Sequence, residues 1–335
     1  PAEDVHDVLK KHLLVDGFHL VLDLERSHGP FLWDSFRGRD VLDLFGSFST
    51  CALGYNHPKM TTPEFQAHIL PAAINKLANS DIYTTFLAEF AETFARTLPE
   101  PFRKRMFFIE GGAAAVENAL KVAFDWKVRK NLAQGKGEKG SQIIHFKEAF
   151  HGRSGYTLSL TNTDRRKIDY FPKFPWPRIV NPKLSFPVTE TVLAGVLETE
   201  RQAVAAIEAA VRDNPDDIAG LIVEPIQGEG GVHVAPPGYL AGVRALCDLH
   251  NVLLVFDEIQ TGLGRTGAMF ACQHDGVVPD VIALAKALGG GLVPIGAVLC
   301  NDAAWSEAFA LRHSSTFAGN ALAAIVGLRA LDLRL

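Results

Sequence analysis

From about residue 85 onward the chain alternates between two hydrophobic periods. Residues 87–97 place apolar side chains at helical spacing and lead into MFFI (106–109), an unbroken apolar run. A second amphipathic stretch, 113–130, lines up Ala115, Ala119, Val122 and Ala123 on one face. A polar, glycine-bearing loop (134–141) separates it from QIIHF (142–146). The alternation continues as helix 199–212 before GLIV (220–223) and helix 237–250 before VLLVF (252–256), with VIALA (281–285) and IGAVLC (295–300) following. Strands that are apolar at every position are buried on both faces, and amphipathic helices between them supply the cover. The pattern therefore predicts an α/β fold, a parallel sheet with helices on both sides. Ahead of it, FLWDS, FRGRD and VLDLF (31–45) predict two short strands around a glycine-bearing turn. No internal repeat is visible, and FPKFPWPRIVNPKLSFP (171–187) reads as a long loop, a length usually retained for function.

Composition narrows the function classes. With 335 residues, 47% hydrophobic and 21% charged, the chain can bury a large core, in one large domain or two smaller ones. The net charge is −5 and the pI about 6.2, with no stretch that gathers lysine and arginine onto one face. That argues against nucleic acid or an anionic membrane as a partner. Charges or glycines interrupt every long apolar run, so no membrane span is expected. The segment PAEDVHDVLKKHLLVDG is charged and amphipathic, unlike a signal peptide. Cys51, Cys247, Cys272 and Cys300 are scattered singly, which fits no zinc site or disulfide framework and suggests reduced thiols in a cytoplasmic protein.

In parallel sheets of this kind ligands bind beyond the carboxyl ends of the strands. Polar motifs follow each predicted strand: EGGAAAVEN after MFFI, KEAFHGR after QIIHF, EPIQGEGG after GLIV, DEIQTG after VLLVF, and Lys286 after VIALA. Five polar strand ends in one sheet describe a site. A lysine amine in a partly desolvated pocket has a lowered pKa and can bond an aldehyde. A carboxylate at the neighbouring strand end, Asp257, could hold a pyridine nitrogen protonated. Gly111, Gly112 and Ala113, between a strand and a helix start, offer backbone N–H groups to a phosphate. Phe150 could stack on a ring, and Arg153 is a bidentate fork suited to a carboxylate. Taken singly, each has a plainer reading. Lys286 also fits a lysine snorkelling from a strand end, Asp257 a helix cap, Phe150 a core residue and Arg153 a surface ion pair. A competing motif, GLGRTG (262–267), fits G-x-G-x-x-G, but it begins well after its strand and precedes no clear helix for a pyrophosphate.

Taken together, EGGAAAVENALK, FHGR, EPIQGEGG, VFDEIQTGLGRTG, LAKALGGG and STFAGN resemble the class III, or omega, aminotransferases. The resemblance covers essentially the whole chain, with the motifs in family order. It implies the pyridoxal 5′-phosphate (PLP)-dependent transferase fold type I, a mainly parallel sheet sandwiched by helices with a small N-terminal part. It implies that Lys286 carries the cofactor and shuttles the proton, that Asp257 pairs with the pyridine nitrogen and Gln260 with the ring hydroxyl. Gly112 and Ala113 would hold the phosphate, Phe150 would stack on the ring, and Thr316 would reach the phosphate of a neighbouring subunit in a homodimer with shared active sites. Within the family, HLLVDGFHLVLDLERSHGPFL, NKLANSDIY, VENALKVAFDWK, FHGRSGYTLSLTNT and FPKFPWPRI are most similar to the branch that transfers the 6-amino group of L-lysine to 2-oxoglutarate. That similarity implies Arg153 and Gln260 as substrate-binding residues and Glu229, in a glycine-bearing turn suited to movement, as a switch opposite a C-terminal arginine. LGRTG and AKALGGGLVPIGAVL look more like the acetylornithine, ornithine and 4-aminobutyrate branches, which leaves an omega-aminotransferase of that kind, or an inactive fragment of one, as alternatives. By the same resemblance residues 1–48 belong to a small domain, 49–320 form the large PLP-binding domain, and 321–335 begin a helix towards a C-terminal small domain expected to be absent from this chain.

Overall fold

A computed structural model of the chain describes residues 1–75, 81–313 and 315–333; most of NKLANSDIY, and Ser314, lie outside the described residues. The N-terminal part contains a short helix α1 (Val5–Lys10), an antiparallel sheet of β1 (Leu22–His28), β2 (Phe31–Asp34) and β3 (Arg39–Leu42), and a helical turn α2 (Gly46–Ser49). β2 and β3 are the two strands expected around the glycine-bearing turn. β1 was not legible, because its LDLERSH exposes most of its side chains and so carries no apolar alternation.

Then follow α3 (Pro63–Ile74), α4 (Thr85–Thr97), β4 (Arg105–Ile109), α5 (Gly112–Ala133), β5 (Gln142–Phe146), α6 (Gly155–Leu160), β6 (Arg178–Ile179) and α7 (Glu190–Asp213). The chain continues through β7 (Ile218–Val223), β8 (Ile226–Gln227), β9 (His233–Val234), α8 (Tyr239–His250), β10 (Leu253–Asp257), β11 (Val281–Leu284), β12 (Gly296–Cys300) and α9 (Ala321–Asp332). The central sheet has the order β4-β12-β11-β10-β7-β5-β6. β7, β10 and β11 are buried at every residue, which is why their sequences read as continuous apolar runs.

Both faces are covered, as the alternation predicts. On one side α5 buries Ala115, Ala119, Val122 and Ala123 against β7, β11 and β12. On the other, Phe90 and Phe94 of α4 share a core with Ile207 of α7, Leu240 and Val243 of α8 and Ala323 and Ala324 of α9. The sheet is not parallel throughout: β12 runs antiparallel to both β11 and β4. The connection 285–295 holds only the short 3-10 helix Lys286–Gly289, too little for the crossover a parallel strand needs, so the chain doubles back. Among the elements longer or new relative to the sequence pattern are α7 and β6. α7 starts at Glu190, nine residues before the helix the spacing predicts, because the Thr189 side chain caps it by accepting from the Val192 N–H. β6 is a two-residue edge strand inside the long aromatic loop, too short to leave a pattern. No helix among the described residues is long and apolar enough to cross a membrane.

Candidate active site

β4, β5, β7, β10 and β11 point the same way, so their carboxyl ends meet along one edge of the sheet. A cavity of about 540 Å³ opens there, inside the range of roughly 300–1,000 Å³ usual for small-molecule sites. Its wall includes Gly112, Ala113, Phe150, Arg153, Asp257, Gln260 and Lys286, seven residues the motifs single out. Residues between 112 and 286 in the chain are brought together because each follows a strand of one sheet.

Lys286 follows β11 and sits with a φ of +43°, a left-handed conformation uncommon for a residue with a Cβ. Such strain is held where the surroundings over-determine it, often at a functional site. Its Nζ donates to Gln260 Oε1 at 3.0 Å. Burial pushes its ammonium below the usual lysine pKa of 10.5, against the opposing charges of Asp257 and Glu224. An amine so placed is more readily deprotonated, hence nucleophilic.

Asp257 closes β10 and is buried. Its Oδ1 accepts from the Ile259 N–H at 3.1 Å, and its Oδ2 pairs with Nδ1 of His151 at 2.7 Å. Burial opposes the charge on His151, but the Asp257 hydrogen bond, the Asp257 charge and the Glu224 charge together raise its pKa above 6.5. Nε2 of His151 is buried with no hydrogen-bond partner among the described residues. Glu224, directly after β7, completes the cluster, with Oε1 accepting from the Phe150 N–H at 2.9 Å and Oε2 from the Gly228 N–H at 3.1 Å. Burial, helped by the Asp257 charge and opposed by His151, pushes its carboxyl up to about 7. His151 and Glu224 stand inside FHGR and EPIQGEGG, but those motifs alone give neither a role. A histidine beside a motif carries no signal until its partner across the sheet is known.

The raised Glu224 value has a consequence for stability. The unfolded chain ionises it near 4.5 and the folded chain only near 7, so its contribution is present below pH 4.5 and is lost as the pH rises towards 7. Glu224→Gln should flatten that decline, and melting temperatures taken between pH 4.5 and 7.5 check it; an unchanged slope contradicts the shift.

One end of the cavity is formed by the start of α5. Its N-cap is Gly111, with no side-chain cap, so the first-turn N–H groups of a 22-residue helix face the cavity unclaimed by a side chain. Gly152 (φ +118°) brings FHGR against this turn: a Cβ there would lie 2.7 Å from Ala113 Cβ. GLGRTG forms a turn in which the Leu263 N–H bonds to Met269 O and Arg265 bonds to Ser49 O. Only a short 3-10 helix (Ala271–His274) follows, so the dinucleotide reading has no helix to hold a pyrophosphate.

Residues 15–334 match the Aminotransferase class-III family. The chain belongs to the class-III aminotransferases. It is 49% identical over 284 residues to the L-lysine-epsilon aminotransferase of Mycobacterium bovis, covering 84% of this chain and 63% of that protein. It is 44% identical over 338 residues to the L-lysine-epsilon aminotransferase of Amycolatopsis lactamdurans, covering 99% of this chain and 74% of that one. Among solved structures, the lysine aminotransferase of Mycobacterium tuberculosis in its internal aldimine form superposes with a TM-score of 0.90 at 43% identity, covering 99% of this chain and 76% of that one. The chain thus spans a little under two thirds of the length of its mycobacterial relative.

Membership in the class-III aminotransferases implies PLP as cofactor, and the cavity fits it: an uncapped helix N-terminus for the phosphate, an aromatic wall, a buried carboxylate and a lysine amine. Two expected residues of this class-III chain lie off the cavity wall. Thr316 is exposed, in a loop tied down by Ser315, whose hydroxyl hydrogen-bonds both carboxylate oxygens of Glu110 at 2.6 and 2.5 Å. Glu229 is not free in its turn either, because it pairs with Lys167. The glycines of QGEGG serve close approach as well as bending: a Cβ on Gly230 would lie 2.2 Å from the Glu148 carbonyl oxygen.

Proposed function

We propose that the chain provides the active site of a cytoplasmic, homodimeric aminotransferase that moves the 6-amino group of L-lysine to 2-oxoglutarate. The products are 2-aminoadipate 6-semialdehyde, which cyclises to piperideine-6-carboxylate, and L-glutamate. The observation that carries this is Lys286: a strained, partly desolvated amine set between Gln260 and the Asp257 strand end. Lys286 would hold the cofactor, Asp257 would pair with its pyridine nitrogen and Gln260 with its ring hydroxyl, and Phe150 would supply an aromatic wall. Gly112 and Ala113 would bind the phosphate, joined by Thr316 from a neighbouring subunit. PLP, when bound, supplies an electron sink for the carbon that loses its amine. Lys286 Nζ takes the proton from that carbon and returns it, which a lowered pKa favours near neutral pH. His151 keeps Asp257 oriented, and Asp257 keeps a positive charge stable at the ring nitrogen beside it.

The 43–49% identical relatives named for L-lysine support the donor, as does an arginine fork on the cavity wall. Arg153 grips the α-carboxylate, so the distal amine reaches Lys286. Arg153→Ala should raise the KM for L-lysine about tenfold, the loss of a charge-assisted hydrogen bond worth roughly 1.5 kcal/mol, and leave kcat within about threefold. Steady-state kinetics with 2-oxoglutarate fixed decide it. A donor screen of L-lysine, ornithine and 4-aminobutyrate tests the reading itself, and a clear preference for either of the last two sinks the L-lysine assignment.

A further inference from the structure

Two buried carboxylates stand on the cavity wall, Asp257 and Glu224, and the chemistry above uses only the first. Glu224 directly follows β7 and divides its oxygens between two loops. Oε1 accepts from the Phe150 N–H at 2.9 Å, in the loop after β5, and Oε2 from the Gly228 N–H at 3.1 Å, just after β8. Phe150 forms part of the wall. Gly228 packs so closely on Gln260 that a Cβ there would stand 2.4 Å from Gln260 Oε1. That same oxygen accepts from Lys286 Nζ at 3.0 Å. One side chain thus reaches the aromatic wall in one direction and, through Gly228 and Gln260, the Lys286 amine in the other. An amide would serve less well, because an NH₂ in place of one oxygen sets two donors against each other. Burying this carboxylate where the Asp257 charge acts on it is unfavourable, and groups so perturbed concentrate at functional sites.

We propose that Glu224 is a positioning residue of the cofactor site, whose carboxylate fixes the separation of the Phe150 and Gly228 loops and so sets Phe150 and Gln260 against Lys286. The inference rests on the cofactor contacts proposed above for Phe150, Gln260 and Lys286. Its effect travels through two backbone N–H bonds. Neither loop can move away without leaving a buried donor unpaired. A shift of the Phe150 loop would widen the slot for a planar ring, and a shift of Gly228 would let Gln260 turn away from Nζ. A misplacement of about 1 Å at such a site can cost roughly a hundredfold. The charge of Glu224 also acts on His151 and Lys286, favouring their protonated forms. Span and charge are separable, because Glu224→Asp keeps the charge but is one methylene too short to reach both N–H groups.

The test is the affinity of the 335-residue chain for PLP, read by absorbance titration at about pH 8, where Glu224 is mostly ionised. Glu224→Gln and Glu224→Asp should each weaken PLP about tenfold while still melting as folded proteins. The circular dichroism of bound PLP, which reports how the ring is set in the site, should change in both. The losses should also depend on the groups they act through. Combined with Gln260→Ala, or with Phe150→Ala, the loss of affinity should fall at least about threefold short of the product of the single losses. A role in supporting the fold alone would lower the melting temperature and leave affinity and dichroism at the parent values, and that result overturns the proposal. Full recovery in Glu224→Asp overturns it too, since charge and not span would then be the cause, as does simple multiplication of the losses with either partner. If Glu224→Gln fails to fold, Glu224→Asp carries the same measurements. Where Gln260→Ala and Phe150→Ala both leave PLP affinity unchanged, the cofactor contacts fail and this inference with them. Where those two weaken PLP and the Glu224 variants do not, only the inference fails.

Discussion

Lys286→Ala should abolish amine transfer, lowering kcat by roughly 10⁴-fold or more, because one amine both holds the cofactor and moves the proton. The protein should stay folded. Alanine keeps a Cβ, so the positive φ at this position is no more strained than before, and a partly desolvated ammonium is removed. Borohydride should no longer fix the cofactor to the protein, and dialysis should remove it, while the melting curve stays close to that of the parent. In the parent, covalent attachment of PLP should become faster with rising pH well before the ordinary lysine pKa, since burial lowers that of Lys286. A Lys286→Ala protein that still turns over at the parent rate removes the basis for the whole site.

The Asp257 variants should separate chemistry from stability. Asp257→Ala leaves a buried His151 without its 2.7 Å partner, and breaking a buried charged pair costs about 3–5 kcal/mol. Asp257→Asn keeps the shape and part of the hydrogen bonding, so its loss of stability should be clearly smaller. Both should lower kcat by about 10³-fold, because neither holds a positive charge at the ring nitrogen. Denaturant midpoints and turnover, measured on the same preparations, give the comparison. If Asp257→Asn keeps most of its activity, the carboxylate is structural, and its partnership with His151 is its whole purpose.

Much of the architecture was legible because burial on two faces leaves a mark in composition. The runs QIIHF, GLIV, VLLVF and VIALA have no polar alternation, and amphipathic helices separate most of them, so a covered sheet follows. The strand-end rule then pointed to Gly112, Ala113, Phe150, Arg153, Asp257 and Lys286, the family resemblance added Gln260, and all seven line one cavity. Motif order and spacing carried the family, which residues 15–334 match.

What stayed illegible depended on partners far apart in the chain. The direction of β12 follows from how little chain lies between β11 and β12, and its own sequence reads the same either way. The left-handed backbone of Lys286 is a property of the packing around it, since the residue type argues against it. His151 acquires its role from Asp257, 106 positions away, and Glu224 its raised pKa from burial beside both. Glu229 reads as a mobile turn acid in QGEGG, and only the tertiary structure pairs it with Lys167 from an unremarked basic run. Local sequence determined which segments bury themselves and which residue types stand at the strand ends, because hydrophobic periodicity is set by neighbours in the chain. Charge pairing, desolvation and strain are set by neighbours in space, and those only the folded protein decided.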